Sequence, residues 1–142
     1  ISVVSGNQTQ TSSRTEKRIA PDLVFQVVRS SEELEGILQK AKAENKPVML
    51  DYYADWCISC KEMEAITLTN PEDGKEMSRI VLVQADVTIN NQNTQALLKQ
   101  FSLYGPPAIL FFNGAGEEQK SLRVVGFMAP SRFLERLQEL RN

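Results

Sequence analysis

The chain has 142 residues, 42% of them hydrophobic and 24% charged, with a formal net charge of -2, two cysteines and no histidine. That length and composition fit one globular domain with its own core, while the missing imidazole excludes Ser-His-Asp and Cys-His nucleophilic sites, histidine-ligated metals and a histidine general base. Two thiols are too few for an all-cysteine zinc site within one chain, and a slightly acidic balance without a basic block leaves no electrostatic footprint for nucleic acid.

Residues 1–20 are rich in Ser, Thr, Gln and Asn. They bury too little apolar surface to offset the entropy of ordering, so they are expected to form a flexible polar linker or tail, with the folded domain at 21–142. Arg14, Lys17 and Arg18 are read as solvated linker residues. No basic segment leads into an apolar one at the start, so no secretory leader is expected there, and a chain opening on Ile1 is expected to be a processed or excised piece.

Residues 23–28 (LVFQVV) predict the first strand. Ser30 and Glu33 have capping-box spacing, and Leu34, Ile37, Leu38 and Ala41 then share one helical face, ended by Pro47. Residues 48–54 (VMLDYYA) predict a buried strand, and a helix should open at 57–60 and continue through Met63 and Ile66. Further strands are expected at 80–85 and 108–112, with a short helix around Leu97 between them. Asn113-Gly114 is a turn signal leading to a hairpin partner at 122–125, and Pro130 opens an amphipathic terminal helix carrying Phe133, Leu134, Leu137 and Leu140. No run of about 18 apolar residues could span a membrane. Strands alternating with helices imply an α/β domain with a central mixed sheet covered on both faces, an order compatible with several α/β sandwiches.

Cys57-Ile58-Ser59-Cys60 is the chemically informative segment. At the first turn of a helix the two thiols lie one turn apart, and free N–H groups there would stabilise a thiolate at Cys57, making Cys57 the exposed nucleophile and Cys60 the buried resolving thiol. The spacing alone equally allows a structural thiol pair or half of a metal knuckle. Asp51, in an apolar strand six residues before Cys57, should point inward, where burial raises its pKa and suits it to take a proton from a buried thiol; otherwise it is a strand-edge residue bonded to backbone. Glu64 shares the Cys60 face of its helix, as a second acid or a solvated helical residue. Trp56 either shields the sulfur and offers an apolar docking surface or packs into the core. Lys61 is the only cation expected near these acids.

Tyr53-Ala54-Asp55-Trp56-Cys57-Ile58-Ser59-Cys60-Lys61 resembles the active-site segment of the thioredoxin superfamily, and Gly105-Pro106-Pro107-Ala108 resembles its G-x-P-T loop. The resemblance covers about residues 23–140 and implies a thioredoxin-like three-layer fold. More narrowly, residues 47–64, the ILFF strand and the Val125-Gly126-Phe127-Met128 segment resemble the carboxy-terminal periplasmic domains of bacterial thiol:disulfide interchange proteins.

That resemblance implies an attacking Cys57, a resolving Cys60, tuning acids at Asp51 and Glu64, a cis-proline at Pro107, and partner docking at Trp56, Pro106 and Pro107. It implies a monomeric disulfide reductase without cofactor or metal beyond a redox-active disulfide. Such a domain takes electrons from a transmembrane domain of the same protein and passes them to an amino-terminal periplasmic domain. A stand-alone thioredoxin-like protein served by a separate reductase, or a non-catalytic binding module, remain the alternatives. Two departures stand out: Pro106 has no N–H for the partner's backbone, and Ala108 replaces the threonine. Because Ile58-Ser59 offers no histidine to stabilise a thiolate and acids outnumber cations nearby, the pair is expected to be a reductant.

Overall fold

The structure, a computed structural model, describes residues 15–140. Its strands are β1 Glu16–Ala20, β2 Leu23–Val28, β3 Val48–Tyr53, β4 Val81–Asp86, β5 Ala108–Phe112 and β6 Val124–Val125. The helices are α1 Ser31–Ala43, α2 Ile58–Glu62, α3 Pro71–Met77, α4 Gln92–Gln100 and α5 Pro130–Glu139; α2 runs directly into a π-helical stretch, Met63–Leu68. Among the described residues the strands form one sheet in the order β1-β2-β4-β3-β5-β6. β4 lies parallel to β2 and β3, whereas β5 is antiparallel to β3 and to β6.

Alternation along the central strands divides the core between the two faces of this sheet. Leu50 and Tyr52 of β3, Val83 and Ala85 of β4, and Leu110 and Phe112 of β5 pack with Leu34 and Ala41 of α1 and Leu97 of α4. Met49, Leu82, Ile109 and Phe111 point the other way, against Met63 and Leu68 of the π-helical stretch, Met77 of α3, and Phe133 and Leu137 of α5. Ser30 caps α1 as its spacing predicts, its hydroxyl accepting from the Glu33 N–H. Glu33 Oε1 in turn accepts from the Arg29 N–H, one residue before the cap.

Three elements depart from the sequence expectations. Glu16–Ala20, expected within the polar linker, is an edge strand paired antiparallel to β2, with Glu16 opposite Gln26 and Lys17 opposite Phe25. Composition misreads this segment because a backbone ladder stabilises an edge strand whose side chains are mostly polar. The rest of the expected linker, residues 1–14, lies outside the described residues. α3 was not expected; Asn70 caps it through the Glu72 N–H and Pro71 opens it, yet its interior Gly74 and short apolar face hide the pattern. In the hairpin, Leu122 ends a 3-10 turn; of residues 122–125 Val124–Val125 pairs with β5, and Glu118 adds an isolated bridge to Phe112.

Candidate active site

β3 ends at Tyr53, and the chain turns through residues 54–56 into the Cys57–Cys60 disulfide, whose Cα atoms lie 5.3 Å apart. Cys57 is the N-cap of α2: its sulfur accepts from the Cys60 N–H at 3.1 Å. Cys60 Sγ lies 3.8 Å from the Tyr52 carbonyl oxygen, an acceptor for this thiol once the disulfide opens. Cys57 is less open than expected: it is 6% exposed against 3% for Cys60, because both pack into the apolar cluster with Tyr53, Ala54 and Ala108. What is open is their surroundings, with Trp56 62% and Ile58 75% exposed. Trp56 is therefore not a core residue; its indole N–H donates to the Thr88 carbonyl at 3.1 Å, fixing the ring on the surface.

Antiparallel pairing of β5 with β3 sets Ala108 opposite Tyr52, so the residues just before Ala108 reach the sheet end where the disulfide sits. The Pro106-Pro107 peptide bond there is cis. The Pro107 carbonyl accepts from the N–H of Gly126, which adopts a φ of +87° just after β6, a backbone state that suits glycine.

Asp51 points inward and is 5% exposed. Its register partner on β4 is Gln84, also buried, whose amide donates to Asp51 Oδ2 at 3.1 Å and to Glu64 Oε2 at 3.0 Å. One amide thus bridges the two acids that the sequence singles out. Burial pushes the Asp51 carboxyl up from 3.8 to about 7; the Gln84 hydrogen bond opposes this, the Glu64 charge adds to it, and Lys17 opposes it. Lys17 extends from β1 over β2, setting its ammonium 2.7 Å from Glu64 Oε2, 3.4 Å from Gln84 Oε1 and 3.6 Å from the centre of the Tyr53 ring.

Sequence reasoning missed two members of this network. Gln84 carried a signal, being the lone polar residue in the apolar run IVLVQA. Lys17 carried none usable, and its place corrects two expectations at once: it is not a solvated linker residue, and Lys61 is not the only cation near the acids. Among the described residues no group of three or more His, Cys, Asp or Glu side chains could hold a metal ion, and no helix is long and apolar enough to cross a membrane.

A thioredoxin-like family profile matches residues 30–114. The thiol:disulfide interchange protein DsbD of Ralstonia nicotianae is 48% identical over 119 residues, covering 84% of this chain and 19% of that protein. Its counterpart from Escherichia coli is 44% identical over 117 residues, covering 82% of this chain and 20% of the relative. The chain thus spans about a fifth of the length of the curated relatives it matches. The oxidised crystal structure of the Neisseria meningitidis DsbD C-terminal domain superposes with a TM-score of 0.70 at 39% identity, covering 81% of this chain and 99% of that one. The Nicotiana alata thioredoxin NaTrxh, at 24% identity and a TM-score of 0.64, covers 82% of this chain and 91% of its own and shares the fold. With a cis-proline at the sheet end that carries a helix-capping disulfide, and this degree of identity to a whole solved domain, the chain belongs to the thioredoxin-like family, among the C-terminal domains of DsbD.

Proposed function

We propose that this domain is a disulfide reductase that relays electron pairs by dithiol-disulfide exchange through Cys57 and Cys60. In the dithiol form, the Cys57 thiolate attacks one sulfur of a partner disulfide; the partner's other sulfur leaves as a thiolate and takes up a proton. Cys60 gives its proton to Asp51 and attacks Cys57 in the mixed disulfide, closing the Cys57–Cys60 bond and releasing the partner's second thiol. Two electrons pass to the partner, and a donor dithiol must then reduce the Cys57–Cys60 bond again.

The observation that carries this reading is the disulfide placed as a helix cap, with an inward carboxyl whose pKa of about 7 lets it both accept and release a proton near neutrality. Trp56 and Ile58, exposed beside the buried sulfurs, and the Pro106-Pro107 loop would receive the partner's backbone and apolar side chains. Likeness to DsbD supports a membrane-domain cysteine pair as donor, an amino-terminal domain as acceptor, and a periplasmic setting. The acids near the thiols and the Ile58-Ser59 dipeptide support the reducing direction, because they do not favour the thiolate that makes a dithiol a strong oxidant.

Mixing the reduced protein with a disulfide-bonded acceptor domain tests the reading. Cys60→Ser should accumulate a mixed disulfide through Cys57, and Cys57→Ser should transfer nothing; transfer persisting in Cys57→Ser would sink it.

A further inference from the structure

Asp51, on the strand that leads into the Cys57–Cys60 turn, and Glu64, four residues after Cys60, are joined through Gln84, and β1 brings a cation into this hydrogen-bond chain. Lys17 Nζ contacts Glu64 Oε2, the same oxygen that accepts from Gln84, and Gln84 in turn holds Asp51. Lys17 starts from the outermost strand, opposite Phe25 of β2, and meets side chains of β3 and β4 only by lying across β2. A lysine stem that merely needed water would extend the other way; here the side chain of the ion pair is 24% exposed at Lys17 and 18% at Glu64.

We infer that Lys17 is a positioning residue for the exchange chemistry: its ammonium holds Glu64 turned inward as an acceptor for Gln84, and so sets the charge that Asp51 and the two sulfurs meet. This rests on the proposed role of Cys57, Cys60 and Asp51. The groups around Asp51 are Lys17 from β1, Glu64 from the π-helical stretch and Gln84 from β4. Tyr53 from β3 lies beneath the ammonium, and Arg29, Asp55 and Asp86 complete the groove that Lys17 lines. Without Lys17, Glu64, four residues after Cys60 in the same helical stretch, carries an uncompensated charge, which disfavours the Cys57 thiolate. The active site then depends on whether β1 is docked on β2, since β1 holds the lysine in place.

The ion pair itself, partly exposed, adds little stability, so the informative measurement is the pH profile of Cys57. Alkylation of Cys57 in the reduced protein, followed by peptide mass mapping across pH, gives its ionisation midpoint without any partner. Lys17→Met should raise that midpoint by roughly half a pH unit or more, at nearly unchanged melting temperature. In a Glu64→Gln background the same substitution should shift it by less than half as much. An unmoved midpoint in a folded Lys17→Met protein would overturn the inference, and so would a shift undiminished by Glu64→Gln. Because the readout needs no turnover, it stays separate from the mixed-disulfide test: transfer surviving Cys57→Ser would remove the proposed function and leave the midpoint comparison intact.

Discussion

The two faces of the central sheet are built from the same strands and packed for different ends. Toward α1 and α4 the interior is mostly apolar, and the Tyr52 hydroxyl within it donates to the Leu97 carbonyl at 2.7 Å. Toward the π-helical stretch, α3 and α5 the apolar cluster is just as deep, yet Asp51 and Gln84 replace hydrocarbon at adjacent register positions of the two central parallel strands. A carboxyl there costs stability when charged. The sheet tolerates it because Gln84 satisfies one oxygen and because the acid can hold its proton up to about neutral pH. Neighbouring residues of one strand therefore part company: Leu50 faces the apolar cluster that also takes in both sulfurs, and Asp51 faces the other way, into the acid–amide network.

Substituting those neighbours gives opposite signs. Leu50→Ala, at a fully buried position, should lower stability by about 2–5 kcal/mol, read by denaturant unfolding, while leaving the Cys57 alkylation profile of the folded protein in place. A shifted profile would show that the apolar face also tunes the thiols and would erase the contrast.

Asp51→Asn should slow resolution of the mixed disulfide on the order of 100-fold, read by stopped-flow exchange, because it removes the proton acceptor proposed for Cys60. It should also stabilise the protein at pH 8. The Asp51 pKa of about 7 in the folded chain exceeds its ordinary value of 3.8, so between those values the folded state holds a proton that the unfolded chain releases. This acid's share of stability is thus full below about pH 4 and is lost as pH rises through 7. The gain from Asp51→Asn should be small at pH 4 and on the order of 4 kcal/mol at pH 8. Asp73, raised to about 6 mainly by burial, contributes its own slope to both proteins and cancels in the difference. Equal gains at both pH values would mean that folding does not raise the Asp51 pKa.

The smallest effect belongs to the Pro106-Pro107 loop. Pro106 has no N–H to offer a partner strand, so Pro106→Leu should speed mixed-disulfide formation by only a few-fold, about the worth of one hydrogen bond. Unchanged rates would show that the partner does not pair with this backbone.

Most of the scaffold was legible because its signals are local. Alternating and β-branched runs mark β2, β3 and β5, the Ser30 cap marks α1, and Pro130 with its periodic leucines and Phe133 marks α5. The chemically distinctive residues Cys57, Cys60 and Asp51 were legible for the same reason, since a thiol pair and an acid inside an apolar strand stand out from their neighbours. Lys17 did not stand out among Glu16 and Arg18, and nothing within its own segment says that it lies against Glu64, 47 residues away.

The amino-acid sequence by itself determined which strands alternate, where α1 and α5 start and that carboxylates rather than imidazoles stand near the thiols, because these follow from neighbours a few residues apart and from the lack of histidine. Only the tertiary structure decided which charges those carboxylates meet. Pairing β1 with β2 and setting Gln84 beside Asp51 are long-range register choices, and a buried acid's pKa depends on what the folded chain brings within hydrogen-bond reach.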